Sequence, residues 1–458
     1  MKNLILLFFY LSIHSLFAQN PKIIWEKTFG GTKNDQAQKI ILCSDNNYLL
    51  IGYTQAENRY DLDLWISKIN TNGTTLWEKT FGNEQLEMGY DAVEDTEGNF
   101  FISGIKGTTH HSNQIWLLKV DQNGKLIWEK EFGGSNSDIG KSILLTKESH
   151  ILIGGSLEGE ITAFNHAYRL VLDKDGHQLT ANKYGGDLFE KEIAADDKIV
   201  SSAFAVLKGE TCNKIITSRF GGYIFVGTTI TKAKMNLATD GWLVKLNEKG
   251  QIIWDKNIGA IGGDNLLDIV ENEKGEIFTI GEYYNKPKSK MSIWLSKFDR
   301  QGKLLFEKNY GQKNLNSGQA IQLLANGEIL LCGYSSDRAP LNIKYINPDT
   351  ISTQKLNQLI QNKWRKIKVK KGKKWIHYYE KEFPLTPKQL LVKTDRNFWL
   401  AKVDSNGNLI WEKEFGGIDD DELSSMILDK DNYIIIAGYT RSKGKGLKDI
   451  YIAKLKFE

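Results

Sequence analysis

The stretch Trp116-Leu-Leu-Lys-Val-Asp121-Gln-Asn-Gly124-Lys-Leu-Ile-Trp128-Glu-Lys-Glu-Phe132 decides how the chain is read. Apolar and polar residues alternate on both sides of a polar turn ending in Gly124, the pattern of two short strands joined as a hairpin. Near-copies run over 65–81, 242–258, 294–310 and 399–415, with a weaker copy over 168–184. The second Trp slot serves as a marker. It falls at Trp25, Trp77, Trp128, Thr180, Trp254, Phe306 and Trp411, with spacings of 52, 51, 52, 74, 52 and 105 residues. A fixed period of this size indicates a repeat architecture.

Each unit carries four strand signals separated by turns rich in Gly, Asn and Asp. After Trp77 they are Asp91-Ala-Val-Glu-Asp, Phe100-Phe-Ile-Ser, 116–120 and 125–132. Four short strands per unit, repeated, are the grammar of a β-propeller blade. The expected fold is all-β, a seven-bladed β-propeller with four antiparallel strands per blade. The chain opens on a lone fourth strand, Ile23-Ile24-Trp25-Glu26-Lys27, and stops after a third strand, Tyr451-Ile-Ala-Lys-Leu455. Pairing those two segments would close the ring and remove its free edge. The two Trp slots lie twelve apart, which predicts that both side chains face one side of the sheet and pack blade on blade. Tyr379-Glu-Lys-Glu-Phe383 imitates 128–132, but only fifteen residues separate Phe383 from Trp399, too few for another blade.

The composition is that of a globular chain: 458 residues, 25% charged and 41% hydrophobic. The net charge of +4 from 60 basic and 56 acidic residues gives no ground for nucleic acid as partner. Met1-Lys2-Asn3, the apolar run 4–13 and Ser15-Leu-Phe-Ala18-Gln19 describe a secretory signal peptide cut after Ala18, too short to span a bilayer. Residues 19–458 are then one domain, periplasmic or secreted and expected to be monomeric. The three cysteines lack paired spacing. Cys43 and Cys332 read as buried, and Cys212 as the more reactive.

Asp121-x-x-Gly124-x-x-x-Trp128 and Asp404-x-x-Gly407-x-x-x-Trp411 resemble the tryptophan-docking motif of quinoprotein-type propellers. That superfamily includes quinone-dependent dehydrogenases and non-catalytic envelope scaffolds. The motif implies blade packing rather than chemistry, and the adjacent cysteines of the dehydrogenases are absent. The Trp-Glu-Lys-x-Phe-Gly-Gly continuation is similar to propeller repeats of secreted Bacteroidetes-type proteins.

Function is sought where the period breaks. Insertions occupy roughly 188–212 and 341–397, the first between a fourth and a first strand, the second between a second and a third. In a propeller both connections open on one face, and loops gathered on one face point to a binding surface. On that face, ten residues after each marker, stand Asp35, Glu87, Asp138, Glu190, Asp264, Asn316 and Asp421. They are expected in the loop before the innermost strand. They read either as a carboxylate funnel for a cation or acid–base chemistry, or as turn residues accepting backbone N–H bonds. Loop histidines are His110, His111 and His166, and lysines accumulate in the later blades. The long insertion carries Lys363-Trp364-Arg-Lys366-Ile-Lys368-Val-Lys-Lys-Gly372-Lys-Lys-Trp375, a projecting hairpin. With Tyr378 and Tyr379 it could grip a polyanion, or be a solvated hairpin whose lysines discourage edge pairing.

No nucleophile motif, phosphate loop or metal-ligand spacing appears, so no catalytic residue, cofactor or metal is assigned. The leading expectation is a non-catalytic binding scaffold for a protein or anionic glycan. A propeller glycan hydrolase or lyase using channel-mouth carboxylates is the alternative, and a quinone-dependent oxidoreductase the third class.

Overall fold

The computed structural model describes residues 21–57, 61–109, 112–159, 165–185, 209–230, 239–259, 263–285, 290–337, 343–346, 365–371, 374–382 and 396–457. The expected signal peptide therefore lies outside the described residues. Among the described residues there are strands and no helix.

The strands group into four-stranded antiparallel units, named here by the marker in the fourth strand. The Trp77 unit consists of Asp35–Leu42, Tyr48–Thr54, Asp63–Ile69 and Thr75–Phe81, paired in chain order. The same order holds in the Trp128 unit (87–132), the Thr180 unit (138–184) and the Trp254 unit (211–258). The Phe306 unit (265–310) and the Trp411 unit (315–415) are joined by one parallel pair, Met291 with Leu315. In the Trp25 unit, Asp421–Leu428, Ile434–Thr440 and Asp449–Lys456 take their fourth strand, Lys22–Phe29, from the other end of the chain.

Burial follows position in the sheet. Second strands such as Ile434–Thr440 are covered on both faces and read as apolar runs. Fourth strands such as Leu126–Phe132 are partly solvated. The first strands depart from the expected start. They begin about four residues earlier, at Glu87 rather than Asp91, and each contains a register shift, here between Gly89 and Asp91. A bulge puts two residues opposite one and breaks the period-2 alternation, which hides the first half of the strand from pattern reading.

Apolar clusters lie between units, each drawing residues from two of them. Leu49, Ile51 and Ile66 of the Trp77 unit pack with Phe100, Ile102 and Trp116 of the Trp128 unit. Tyr48 and Leu50 pack on the other side with Ile435, Ile450 and Ile452 of the Trp25 unit. The strand order and this face-to-face packing make the architecture β-propeller in type.

The two Trp slots do not share a face, contrary to the expectation. Trp128 pairs with Lys119, three residues from Trp116, because the register slips between Lys119 and Val120. An odd offset turns the side chains to opposite sides. Trp116 joins the cluster with the preceding unit and Trp128 the cluster with the following one. Blade-on-blade packing thus uses one ring per neighbour. Second-slot rings dock on the next unit's turn: Trp77 Nε1 donates to Gln122 O at 3.0 Å, and a Cβ added to Gly124 would meet the Trp77 ring at 2.7 Å. First-slot rings are held by the acid following the second-slot Trp, as Trp116 Nε1 donates to Glu129 Oε2 at 3.0 Å.

Candidate polar sites on the insertion face and the inner strands

Five of the repeated acids fall on described residues, with Asn316 in the same slot; Glu190 lies outside the described residues. Asp35, Glu87, Asp138 and Asp421 are the first residues of their strands, and Asp264 immediately precedes one. The acids and Asn316 are all buried. Asp138 accepts the N–H of Gly134 at 2.6 Å and of Glu158 at 3.1 Å. Asp421 accepts from Gly417 N–H at 2.7 Å, Ser442 Oγ at 2.9 Å and the Thr440 hydroxyl. Asp35 accepts from Gly31 N–H at 2.9 Å and from the Thr54 hydroxyl. Asp264 accepts Tyr284 N–H at 2.7 Å, and Glu87 accepts Asn83 N–H at 3.3 Å. Asn316 accepts from Ser335 Oγ and donates to Met291 O and Lys313 O. Burial pushes the carboxyls of Asp35, Glu87 and Asp138 up. Asp35, Asp138, Asp264, Asp421 and Asn316 act in this way as clamps on the surrounding chain, whereas Oε1 of the buried Glu87 accepts no hydrogen bond.

The hairpin of the long insertion is present. Arg365–Lys371 pairs with Lys374–Glu382, and Ile343–Ile346, unforeseen from sequence, pairs with the far end of the same strand. Positions 366, 368 and 370 stand opposite 379, 377 and 375, so Lys366, Lys368 and Trp375 share one face by register. Tyr378, opposite Ile367, belongs to the other face. Trp364, His110 and His111 lie outside the described residues. His166 is buried within a strand, its Nδ1 3.2 Å from Gly185 O, so it is not an exposed loop residue. Cys212 is buried and burial pushes its thiol up to about 12, which corrects the expectation of reactivity.

Two polar constellations escaped the sequence. The first occupies the position just after each bulge, where Lys39, Asp91, Ser142, Lys214, Asp268, Ala320 and Ser425 are equivalent. Lys214 Nζ lies 2.7 Å from Asp91 Oδ2, across the intervening Thr180 unit. The oxygen in this slot also accepts an N–H of the next unit. Asp91 takes Ile143 N–H at 3.2 Å, Ser142 takes Ile215 at 3.3 Å, Asp268 takes Ile321 at 3.0 Å and Ser425 takes Ile40 at 3.3 Å. Burial lowers the pKa of Lys39, with Lys214 adding to it against Asp91 and Asp268.

The second constellation lies toward the insertion face. There the paired residues are Asn265 with Glu282, Ser317 with Tyr334, Glu422 with Tyr439, and Gln36 with Tyr53. Arg396 Nη1 donates to Glu422 Oε2 at 2.8 Å and to Tyr439 Oη at 3.2 Å, and its guanidinium stacks 4.8 Å from the Tyr334 ring centre. Lys448 Nζ sits 4.1 Å from the Tyr439 ring centre. Burial raises the Glu282 carboxyl, and it raises Glu422 against the pull of Arg396 and Lys448. The signal in the sequence was variation at fixed offset. A period reveals what repeats, whereas these slots carry what differs.

No protein-family profile matches the chain. Among curated proteins, an uncharacterized WD repeat-containing protein of Acanthamoeba polyphaga mimivirus is 21% identical over 273 residues, 48% of this chain. The match spans about a fifth (19%) of that relative's length. Among solved structures, the Pan2 WD40 domain of Neurospora crassa aligns with 91% of this chain and 88% of its own at 9% identity and a TM-score of 0.43. Sqt1 of Chaetomium thermophilum covers 96% of this chain and 100% of its own at 10% identity and a TM-score of 0.43. An α-L-arabinofuranosidase of Fusarium graminearum covers 69% and 93% at 10% identity and a TM-score of 0.45.

Proposed function

We propose that the chain is a seven-bladed propeller, exported by a cleaved signal peptide at 1–18, that binds a protein or anionic glycan partner without catalysing a reaction. The binding face is the end of the sheets where both insertions leave. The observation that carries this reading is the engagement of the repeated carboxylates at that end by their own loops, while the same end supports the two longest departures from the period. Ring closure is supported by the pairing of Lys22–Phe29 with Asp449–Lys456 and by the interunit clusters. They run from unit to unit and return from the Trp411 unit through the Trp25 unit to the Trp77 unit. The docking of Trp77 on Gly124 supports kinship with quinoprotein-type propellers.

The test compares the mature chain with a variant lacking 341–395, which leaves the strand Arg396–Val403 and the Arg396–Glu422 pair in place, in a glycan array and a pull-down from envelope extract. Loss of the captured partner on deletion, with an unchanged melting profile, is expected. Capture that is indifferent to the deletion would place binding elsewhere.

A further inference from the structure

Where the Trp411 and Trp25 units meet at the insertion end, two cations are held against aromatic rings and carry donors that no neighbour takes up. Arg396 opens the third strand of the Trp411 unit, and its guanidinium lies 4.8 Å from the Tyr334 ring centre. Nη1 is spent on Glu422 Oε2 at 2.8 Å and on Tyr439 Oη at 3.2 Å. Nε is buried without an acceptor, and Nη2 makes no hydrogen bond among the described residues. From the Trp25 unit, Lys448 Nζ stands 4.1 Å from the centre of the same Tyr439 ring. It forms no hydrogen bond or ion pair among the described residues.

One tyrosine thus fixes both cations. Tyr439 is buried, Arg396 bonds its hydroxyl and Lys448 covers its ring. The backbone around Lys448 is pinned as well. Leu447 and Lys448 donate their N–H groups to Lys33 O at 2.9 and 3.1 Å, and Lys448 O accepts from Asp35 N–H at 2.9 Å. Arg396, Glu422 and Lys448 nevertheless keep partial solvent exposure.

The neighbouring carboxylates do not use up these donors. Glu422 offers one oxygen to both Arg396 and Tyr439, and Asp420 Oδ1 accepts the backbone N–H of Arg396 at 2.9 Å. Glu282 is bonded to Ser317, and burial pushes its carboxyl up. Arg441, exposed in the loop that carries Lys448, adds a further positive charge, and its backbone N–H donates to Asp420 O at 2.9 Å. Glu422 Oε1 accepts no hydrogen bond among the described residues.

Unspent donors on two cations beside one unspent carboxylate oxygen call for an oxyanion with a hydroxyl next to it. An acidic sugar carries both on one stiff ring. An aspartate or glutamate side chain carries only the first, sets it against Glu422 with no hydroxyl between, and loses rotamer freedom on binding.

We propose that the junction of the Trp411 and Trp25 units binds the oxyanion of an acidic sugar, a carboxylate or a sulfate ester, through Arg396 and Lys448, with Glu422 accepting an adjacent hydroxyl. The site rests on the anionic-glycan reading given above and specifies the group of that ligand that is recognised.

The experiment is calorimetry and ligand-observed NMR on the mature chain with short oligomers of glucuronate, galacturonate and mannuronate, with sulfated galactose oligomers, with the neutral counterpart of each, and with tri-aspartate. At least one acidic oligomer should bind, its neutral counterpart and tri-aspartate at least about tenfold more weakly. Uronates that bind mark a carboxylate ligand, and sulfated oligomers a sulfate ester. Lys448→Gln should weaken binding at least about tenfold, and it strands no partner, so its thermal melt serves as the folding control. Lys366→Ser/Lys368→Ser in the hairpin should leave these short ligands unaffected. Silence of the acidic panel at roughly 20 mM, affinity indifferent to Lys448→Gln, or tri-aspartate bound as tightly as the sugars overturns the site. A silent panel while deletion of 341–395 still abolishes partner capture removes this site alone and leaves the scaffold function standing. Sugar binding that needs Lys448 while capture ignores the deletion upholds this site and takes the long insertion out of the binding face.

Discussion

Lys214 and Asp91 form an ion pair of 2.7 Å although 123 positions separate them and their units are not neighbours. The pair spans the small Ser142, whose hydroxyl also donates to Asp91 at 3.3 Å. Asp91 is almost fully buried, so Lys214→Met leaves a carboxylate in a crowded interior with only the more distant Lys39 for company. Breaking a buried pair from one side costs about 3–5 kcal/mol, and the double variant Lys214→Met/Asp91→Asn restores most of it. Urea unfolding of the four members of the cycle measures both effects. A Lys214→Met variant as stable as the parent would deny the pair any structural weight.

The same pair sets a pH window. Burial pushes the Asp91 carboxyl up, but Lys214, Lys39 and the hydrogen bonds from Lys214 and Ile143 outweigh it, and the net shift is downward. A depressed carboxylate stabilises above its unfolded pKa of about 3.9 and loses that contribution as pH falls through the folded value. Burial depresses the Lys214 ammonium, and Asp91 and Asp268 more than reverse it, so its pKa ends up raised. Its contribution is full below about 10.4 and disappears as pH rises through the folded value. In Asp91→Asn both flanks of the stability profile should flatten, as measured by melting temperature from pH 3 to 11.

Gly98 and Gly124 allow the docking contact to be measured apart from backbone strain. Both have positive φ, 81° and 77°. A Cβ at Gly98 would touch nothing closer than 3.9 Å, whereas at Gly124 it would meet the Trp77 ring at 2.7 Å. Gly98→Ala is expected to cost about 1–2 kcal/mol, the penalty of the left-handed conformation. Gly124→Ala should cost at least about 1 kcal/mol more, since ring or turn must move. Equal losses in chemical denaturation would mean that the Trp77 ring yields without resistance.

The clamp carboxylates give a prediction that separates structure from binding. Asp138→Ala removes the acceptor of the exposed Gly134 N–H and one of two acceptors of the Glu158 N–H, which also reaches Ser137 O at 3.2 Å, so it should cost about 0.5–1.5 kcal/mol. Capture of the partner by folded protein should not change. Loss of capture at unchanged stability would return Asp138 to the binding surface.

How much was legible in the sequence follows from what repeats. Trp77, Trp128 and Gly124 recur in register because five interfaces between units set an aromatic ring on a turn glycine in the same way, and a contact made many times leaves a period. The bulges were invisible. One extra residue erases the alternation that marks a strand, and a separate slip, between Lys119 and Val120, turns Trp128 away from Trp116. The carboxylates at Asp35, Asp138 and Asp421 stand out by their spacing, and the backbone N–H bonds they accept are the turn chemistry that such spacing allows. Asp91, Lys214, Glu282 and Arg396 were missed. Their slots change residue from unit to unit, and only the meeting of distant strands gives these side chains partners.

The annealing of Lys22–Phe29 with Asp449–Lys456 has a consequence for biogenesis. Hydrogen bonding in the Trp25 unit cannot be completed until residues 449–456 have been translated, so a nascent polypeptide retains a ragged, protease-sensitive margin. Resistance to digestion should be acquired in one late step, when these two segments meet, and deletion of either should abolish it to a similar degree.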